Sequence, residues 1–384
     1  MASESVNEMK WVHFVKNRKI LMLIKIKRRA KMKKKRLFAF IVGLCFVIFL
    51  ITSLSDRVET QTKPKPREPF QLDISTLPAG FASYNIGVAL ADMISKNSTW
   101  LKATHIEGRG PAEHMRTLVT KPEKRKNYLF FNTTWDLWEA KKLIGPYTKF
   151  PFNYDEFRFV MLLGIAGNGL CTKDPNIKGI KNLAGKRVIF DSGPGKGREL
   201  VYYGVLKEAG LSIESLKPQF STGQAAAEAL RDGLVDVIYT GSILQKLPNT
   251  HLNSPFMTEL VSTVKTYFVS FEEKHVKAFK DKVGHPVTLM MVPPKMFGPL
   301  QTEPYGTLIK PLGFCAHMDM SEDVIAEILR IAYENAHRLK EATIEAEIIT
   351  KETLASLSIS ESGYHPAAVK FFKSKGVKIT GLGI

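Results

Sequence analysis

The segment Gly193-Pro194-Gly195-Lys196-Gly197-Arg198 has the residue types to hold a ligand. It follows a strand-like run, Lys186-Arg187-Val188-Ile189-Phe190, and precedes a helical pattern in which Leu200, Tyr203, Val205 and Leu206 recur until Gly210. Glycines let a backbone turn tightly and approach a bound molecule closely. A helix start presents unpaired N–H groups and partial positive charge, which suit an anion. Lys196 and Arg198 would add full charges. The segment is not a nucleotide P-loop, because the glycine spacing is wrong and no Ser or Thr follows Lys196 to hold magnesium. A third glycine at dinucleotide-fingerprint spacing is also lacking. A plain tight turn explains the segment as readily as an anion site does.

Other chemistry is sparse. The sequence has no HExxH, no paired CxxC and no GxSxG. The nine histidines are scattered, and His365, in Gly363-Tyr364-His365-Pro366, suits a hydrogen bond at a helix start. Trp135, Trp138 and Tyr84 fit either a core or a ligand platform. Cys45 lies in an apolar run, while Cys171 and Cys315 are either two separate buried thiols or a pair brought together by the fold. These patterns predict a protein without catalysis, metal or cofactor.

The elements that must position these residues read as α/β. From residue 70, strand-like runs alternate with helical ones. Gln224 to Arg231 is an Ala-rich helix stopped by Asp232-Gly233, and Val235-Asp236-Val237-Ile238-Tyr239 is the next strand. Ser321 caps a helix with Glu322 and Asp323 in its first turn and a buried stripe of Val324, Ile325, Ile328, Leu329 and Ala332.

The N-terminus indicates the compartment. Residues 1–36 carry thirteen Lys and Arg against Glu4 and Glu8, a local net of +11. The remaining 348 residues therefore hold only +7 of the chain's +18, which argues against nucleic-acid binding. Leu37 to Leu54 is almost wholly apolar and long enough to span a bilayer, and the dense basic flank before it predicts an N-terminus inside the cell. An uncleaved anchor over 37–54 and a cleaved signal peptide, with Ser53-Leu54-Ser55 at the cut, both fit. Residues 10–29 read as a basic amphipathic segment on the inner leaflet or as a solvated tail. Closely spaced prolines at 64, 66 and 69 predict an extended stalk over 55–69.

Collinear segments resemble the TAXI family, solute receptors of tripartite ATP-independent periplasmic (TRAP) transporters. The family's G-G-T-Y-Y-P-L-G turn is similar to Gly80-Phe81-Ala82-Ser83-Tyr84-Asn85-Ile86-Gly87. Its G-G-S-x-E-N-L-R-L-L resembles Gly108-Arg109-Gly110-Pro111-Ala112-Glu113-His114-Met115-Arg116-Thr117-Leu118. Its D-L-G-F-V-Q-x-D-x-A-Y-E-A resembles Tyr128 to Ala140, and its D-L-x-G-K-R-V is similar to Asn182-Leu183-Ala184-Gly185-Lys186-Arg187-Val188. The family's G-S-G-T loop falls at Gly195-Lys196-Gly197-Arg198, and A-L-x-D-G-x-I-D-A at Ala229 to Val237. H-P-x-A-x-x-Y-Y-x-x-x-G is similar to His365 to Gly376. The cleft loops depart from the family: Phe81-Ala82 stands for Gly-Thr, Asn132-Thr133-Thr134-Trp135 for V-Q-x-D, and Lys196 and Arg198 for small hydroxyls.

The resemblance implies an α/β, two-lobed periplasmic-binding-protein-like fold with a hinge and a cleft, following one N-terminal transmembrane helix. Residues 70–157 and 285–384 would form lobe one and 158–284 lobe two. Lobe one would supply Ser83, Tyr84, Asn85, Arg109, Asn132 and Thr133, and lobe two Gly195, Lys196, Gly197, Arg198 and Tyr239. Arg109 or Arg198 would grip a carboxylate in two-pronged fashion, helped by the 195–197 amides, with Tyr84 and Asn132 holding a polar group at the far end. The implied function is capture of a small organic anion, a carboxylate or amino acid, at the outer face of the inner membrane and its delivery to TRAP permease subunits. A membrane-anchored sensor or interaction module on the same fold is the alternative, and an enzyme on that fold a weaker one.

Overall fold

The computed structural model describes residues 67–379, apart from 80, 192–196, 246–249, 299–300, 344–345, 347–348 and 357–358. The expected tail, the 37–54 anchor and nearly all of the stalk lie outside these residues. Among the described residues no helix is long and apolar enough to cross a membrane.

Two mixed sheets organise the part from Glu68 onward. The larger sheet begins with β1 (Phe70–Thr76), β2 (Leu101–Glu107) and β3 (Tyr128–Thr133). β1 lies between β2 and β3 and runs parallel to both, with Phe70 beside Leu101 and Ile74 beside Leu129. Helices α1 (Ala82–Asn97) and α2 (Pro111–Thr120) supply the crossovers that parallel strands require. α3 (Thr134–Lys141) follows β3 directly.

β4 (Phe157–Asn168) continues into β5 (Leu170–Thr172) through Gly169 alone. β4 belongs to the large sheet and β5 to the small one. β4 reads Phe-Arg-Phe-Val-Met-Leu-Leu-Gly-Ile-Ala-Gly-Asn, and most of it is buried, as expected of a strand covered on both faces.

The small sheet adds β6 (Arg187–Asp191), β7 (Lys217–Phe220) and β8 (Val237–Tyr239), with α4 (Gly197–Glu208) and α5 (Gly223–Arg231) between them. β6 is parallel to both neighbours, with Val188 opposite Val237 and Pro218. α4 ends at Gly210, whose φ of 78° suits only glycine without strain, and Gly233 (φ 74°) closes α5 in the same way. Thr240 and Gly241 then return the chain to the large sheet. There the hairpin of β9 (Ser242–Gln245) and β10 (Thr250–Asn253) pairs with β4.

After α6 (Pro255–Thr263), β11 (Tyr267–Val269) completes the small sheet. α7 (Glu273–Val283) leads to β12 (Thr288–Val292) and the long β13 (Tyr305–His317), both in the large sheet. β13 runs antiparallel to β4 on one side and to β3 on the other. Its pairing with β4 shifts register at Leu312/Gly313, where a side chain on Gly313 would strike the Met161 carbonyl.

α8 (Glu322–Glu334) is capped as its sequence predicts: Ser321 Oγ accepts from the Val324 amide, and Val324, Ile325, Ile328, Leu329 and Ala332 are buried. His365 caps α9 (Pro366–Ser374) by accepting from the Ala367 amide. Each sheet carries its own apolar core, one including Leu312 and Phe314, the other Val188, Ile238 and Leu308. β13 therefore passes from one core into the other. Trp135, at the start of α3, is fully buried in the core of the small sheet, while Leu137 and Ala140 of the same helix belong to the other.

Candidate functional site

β1 and β3 are parallel neighbours, so their carboxyl ends lie on one side of the large sheet, where open α/β sheets place ligands. The loop after β1 leads into α1, and α1 begins without a side-chain cap. Ser83 sits in its first turn, 6% exposed, and its Oγ has no hydrogen-bond partner among the described residues. Tyr84 meets the His105 ring edge-on at 4.6 Å, and His105 Nε2 is 2.7 Å from Thr76 Oγ1. α1 comes so close to this pair that a side chain on Gly87 would clash with both Thr76 and His105. Asn85 is exposed.

The other residues expected from the large sheet divide by environment. Arg109 is exposed between Gly108 and Gly110 and has no ion pair among the described residues. Asn132 is fully buried, donating to Met115 Sδ at 3.6 Å and accepting the Thr133 amide at 2.8 Å. Thr133 caps α3, accepting from the Asp136 amide and donating to the Asp136 carboxylate. Beneath them His114, 1% exposed, lies 3.1 Å from the Thr76 carbonyl and 3.0 Å from the Phe131 carbonyl. Burial pushes its pKa down and the two carbonyls oppose that shift. His114 thereby ties the end of β1 to β3.

On the small sheet, Gly195 and Lys196 fall outside the described residues, and Gly197 opens α4. Arg198 is half-buried. Its Nε donates to Asn168 Oδ1 at 3.1 Å, and its guanidinium lies 4.3 Å from the centre of the Tyr239 ring. The Tyr239 hydroxyl reaches the Ser221 carbonyl at 3.5 Å. Arg198 and Tyr239 are thus brought together at the end of β4, beside the Gly169 crossing.

Lys310 was not singled out from sequence. Residues two apart on a strand share a face, so Leu308, Lys310 and Leu312 line one face of β13 at about 7 Å intervals. Leu308 pairs with Asn168, the partner of Arg198, and Leu312 lines a pocket under α1. Lys310 stands between them, the one half-buried residue of an otherwise buried strand. Its ammonium is 5.1 Å from the centre of the Trp135 ring. A sequence signal existed: Lys310 is the only Lys, Arg, Asp or Glu in the run from Tyr305 to His317. Next to it His285 is 2% exposed among Trp135, Trp138 and Phe279, and burial, then Lys310, pushes its pKa down to about 3.

The face therefore offers two cations, Arg198 and Lys310, flanking apolar surface, which suits an anion with a nonpolar body. Among the described residues, no group of His, Cys, Asp or Glu is placed to hold a metal ion.

Several solved structures are similar to this chain at low identity. The periplasmic aliphatic sulphonate binding protein SsuA of Escherichia coli is 12% identical, with a TM-score of 0.43 over 82% of this chain and 97% of its own. A TctC solute binding protein from Polaromonas is 13% identical, with a TM-score of 0.45 over 73% of this chain and 89% of its own. MatC of Rhodopseudomonas palustris, solved with bound malate, is 13% identical, with a TM-score of 0.43 over 72% and 89%. No curated protein matches the chain by sequence. The sequence profile of the NMT1-like family matches residues 74–376, and the chain belongs to that family.

Proposed function

We propose that the chain is an extracytoplasmic solute receptor without catalysis of its own, closing two lobes, one on each sheet, around a small organic anion. The observation that carries this reading is the line of Arg198, Lys310 and the α1 pocket along one face of β4 and β13, beside the crossings at Gly169 and Thr240-Gly241. Adjacent crossings between two separately cored sheets are what a hinge needs, because closure then requires only a few backbone rotations. Membership of the NMT1-like family supports the same reading. Arg198 and Lys310 would hold the acid group, the amides of 195–197 would assist, and Ser83, Tyr84 and Asn85 would meet the solute from the α1 side. Arg109 would stand at the rim, and Asn132, Thr133 and Tyr239 would hold the frame.

On the resemblance to TAXI receptors, the solute would be delivered to TRAP-type permease subunits, with residues 37–54 acting as a single-pass inner-membrane anchor and the lobes outside. Calorimetric titration of the full-length protein in detergent against carboxylates, sulfonates and amino acids tests the receptor. Saturable binding by an anion that Lys310→Met weakens is expected. Absence of saturable binding by every anion would overturn the reading. Retention in the membrane pellet after alkaline extraction, lost when 37–54 is deleted, tests the anchor.

A further inference from the structure

The pocket lined by Leu312, two residues along β13 from Lys310, has a volume of about 110 Å³ and lies under the start of α1. Leu77, Phe81, Ile86, Phe131, Leu163 and Leu312 make most of its wall, and no described lining residue is charged. Ser83 is the one polar side chain in that wall. Its hydroxyl is buried without a hydrogen-bond partner among the described residues, an unfavourable state that a bound oxygen would relieve. It belongs to the first turn of a 16-residue helix whose leading N–H groups have no side-chain cap. Phe81, at the same place, leaves 54% of its surface in water, so an apolar occupant would also cover exposed ring.

These features choose among anions. A hydrocarbon chain gains by leaving water against Leu163, Phe131 and Leu312. A second carboxylate does not: the helix start offers only about half a unit of positive charge, too little to replace the hydration of a full ion where no cation lines the wall. An uncharged hydroxyl or carbonyl meets Ser83 and the helix N–H groups without that penalty. Length follows from the ruler on β13. Lys310 and Leu312 are about 7 Å apart on one face. An apolar cavity of about 150 Å³ admits benzene, so the smaller pocket here admits a chain of about four to six carbons.

Resting on the receptor reading above, we propose that the solute is a monoanionic acid with a hydrocarbon body and one uncharged oxygen at its far end. Its acid group meets Lys310, its chain runs past Leu312 into the pocket, and its distal oxygen bonds Ser83.

Titration of the full-length protein with acetate, glutamate, hexanoate, adipate and ω-hydroxyhexanoate tests this. The hydroxy acid should bind about ten-fold tighter than hexanoate, and hexanoate about ten-fold tighter than acetate, glutamate or adipate. Ser83→Ala should remove the advantage of the hydroxy acid and leave hexanoate within about two-fold. Ala82→Leu fills the pocket from its helical wall and should weaken both six-carbon monoacids about ten-fold while leaving acetate unchanged. Thermal melts confirm that each variant is folded. If acetate, glutamate or adipate binds as tightly as the hydroxy acid, or if Ala82→Leu has no effect on the six-carbon acids, the proposal is overturned and the anion receptor stands. If no anion binds the wild type, the receptor reading fails and the proposal with it.

Discussion

The Gly169 amide donates to the Thr240 hydroxyl at 2.9 Å, and the Thr240 amide donates back to the Gly169 carbonyl at 2.8 Å. Gly169 joins β4 to β5 and Thr240 follows β8, so this reciprocal pair links two separate passages between the sheets. The Tyr202 hydroxyl donates to the same Gly169 carbonyl at 3.1 Å. A side chain at 169 would sit 2.9 Å from Thr240 Oγ1, 3.0 Å from Tyr305 Cε2 and 3.1 Å from Thr307 Oγ1. Gly169→Ala must therefore push the crossings apart. Overpacking of this kind costs about 1–3 kcal/mol. Chemical denaturation should show that loss, and solute affinity should fall with it because lobe closure starts from an altered hinge. Unchanged stability and affinity would show the crossing to be slack.

The two cations separate by environment. Arg198 is pinned by Asn168 and by the Tyr239 ring, and Lys310 by its place on β13 over Trp135. Arg109 is exposed. Lys310→Met and Arg198→Ala should each weaken anion binding by about 10- to 100-fold, the range for a charge-assisted contact of about 1.5–3 kcal/mol. Arg109→Ala should change it by less than about three-fold. Titration calorimetry on the three variants decides, and the reverse ranking would move the acid group to the rim.

Much of this was legible in the sequence, and the part that was not has a physical reason. Helix ends were readable because caps are local: Ser321, His365, Gly210 and Gly233 act within a few residues of themselves. The β8 strand, expected from Val235, begins at Val237, because Asp236 turns aside to hold Arg187, its carboxylate accepting from both the backbone and the guanidinium. The site was less legible. Thr133, which the family resemblance implies as a cleft residue, also caps α3, with Asp136 three residues on engaging it, a local role the resemblance does not carry. Lys310 and Asn168 are 142 positions apart, and only the β4–β13 register brings them to one face. Register is long-range information, which local patterns do not carry.

Acid should weaken the fold through its buried histidines. His285 has a native pKa near 3, against an ordinary value of 6.5, because burial disfavours its charged form and Lys310 repels it. Between those values the unfolded chain binds a proton that the native chain refuses. Its contribution to stability is therefore complete above pH 6.5 and declines as pH falls toward 3, by up to about 1.4 kcal/mol per pH unit. His114, His275 and His365 are shifted down by burial as well and act in the same direction. His285→Phe should reduce the slope of stability against pH by up to one proton. It should also stabilise the protein at pH 5, since neither ring nitrogen has a hydrogen bond to lose among the described residues and the site is walled by aromatic rings. Denaturation midpoints from pH 4.5 to 7.5 measure this, and an unchanged slope would mean that the ring already gains a proton within the native state.

The two cysteines of the folded part should be inert until it opens. Cys171 lies in β5 and Cys315 in β13, both free and fully buried, so the pairing considered from sequence is not made. Burial pushes both thiols up, and the thiolate is the form that reacts. In a Cys45→Ser background, an aromatic disulfide reagent should therefore label neither residue on the time scale of free thiols and should label two per chain in denaturant. The sites also report on different events. Cys171 is two residues from Gly169, the proposed hinge, whereas Cys315 is held between β3 and β4 in the centre of the large sheet. Hinge opening short of unfolding should expose Cys171 first, so Gly169→Ala should accelerate labelling of Cys171 more than of Cys315. Equal acceleration at both, followed by peptide mapping, would mean that the variant loosens the whole fold and that the hinge does not open as a separate unit.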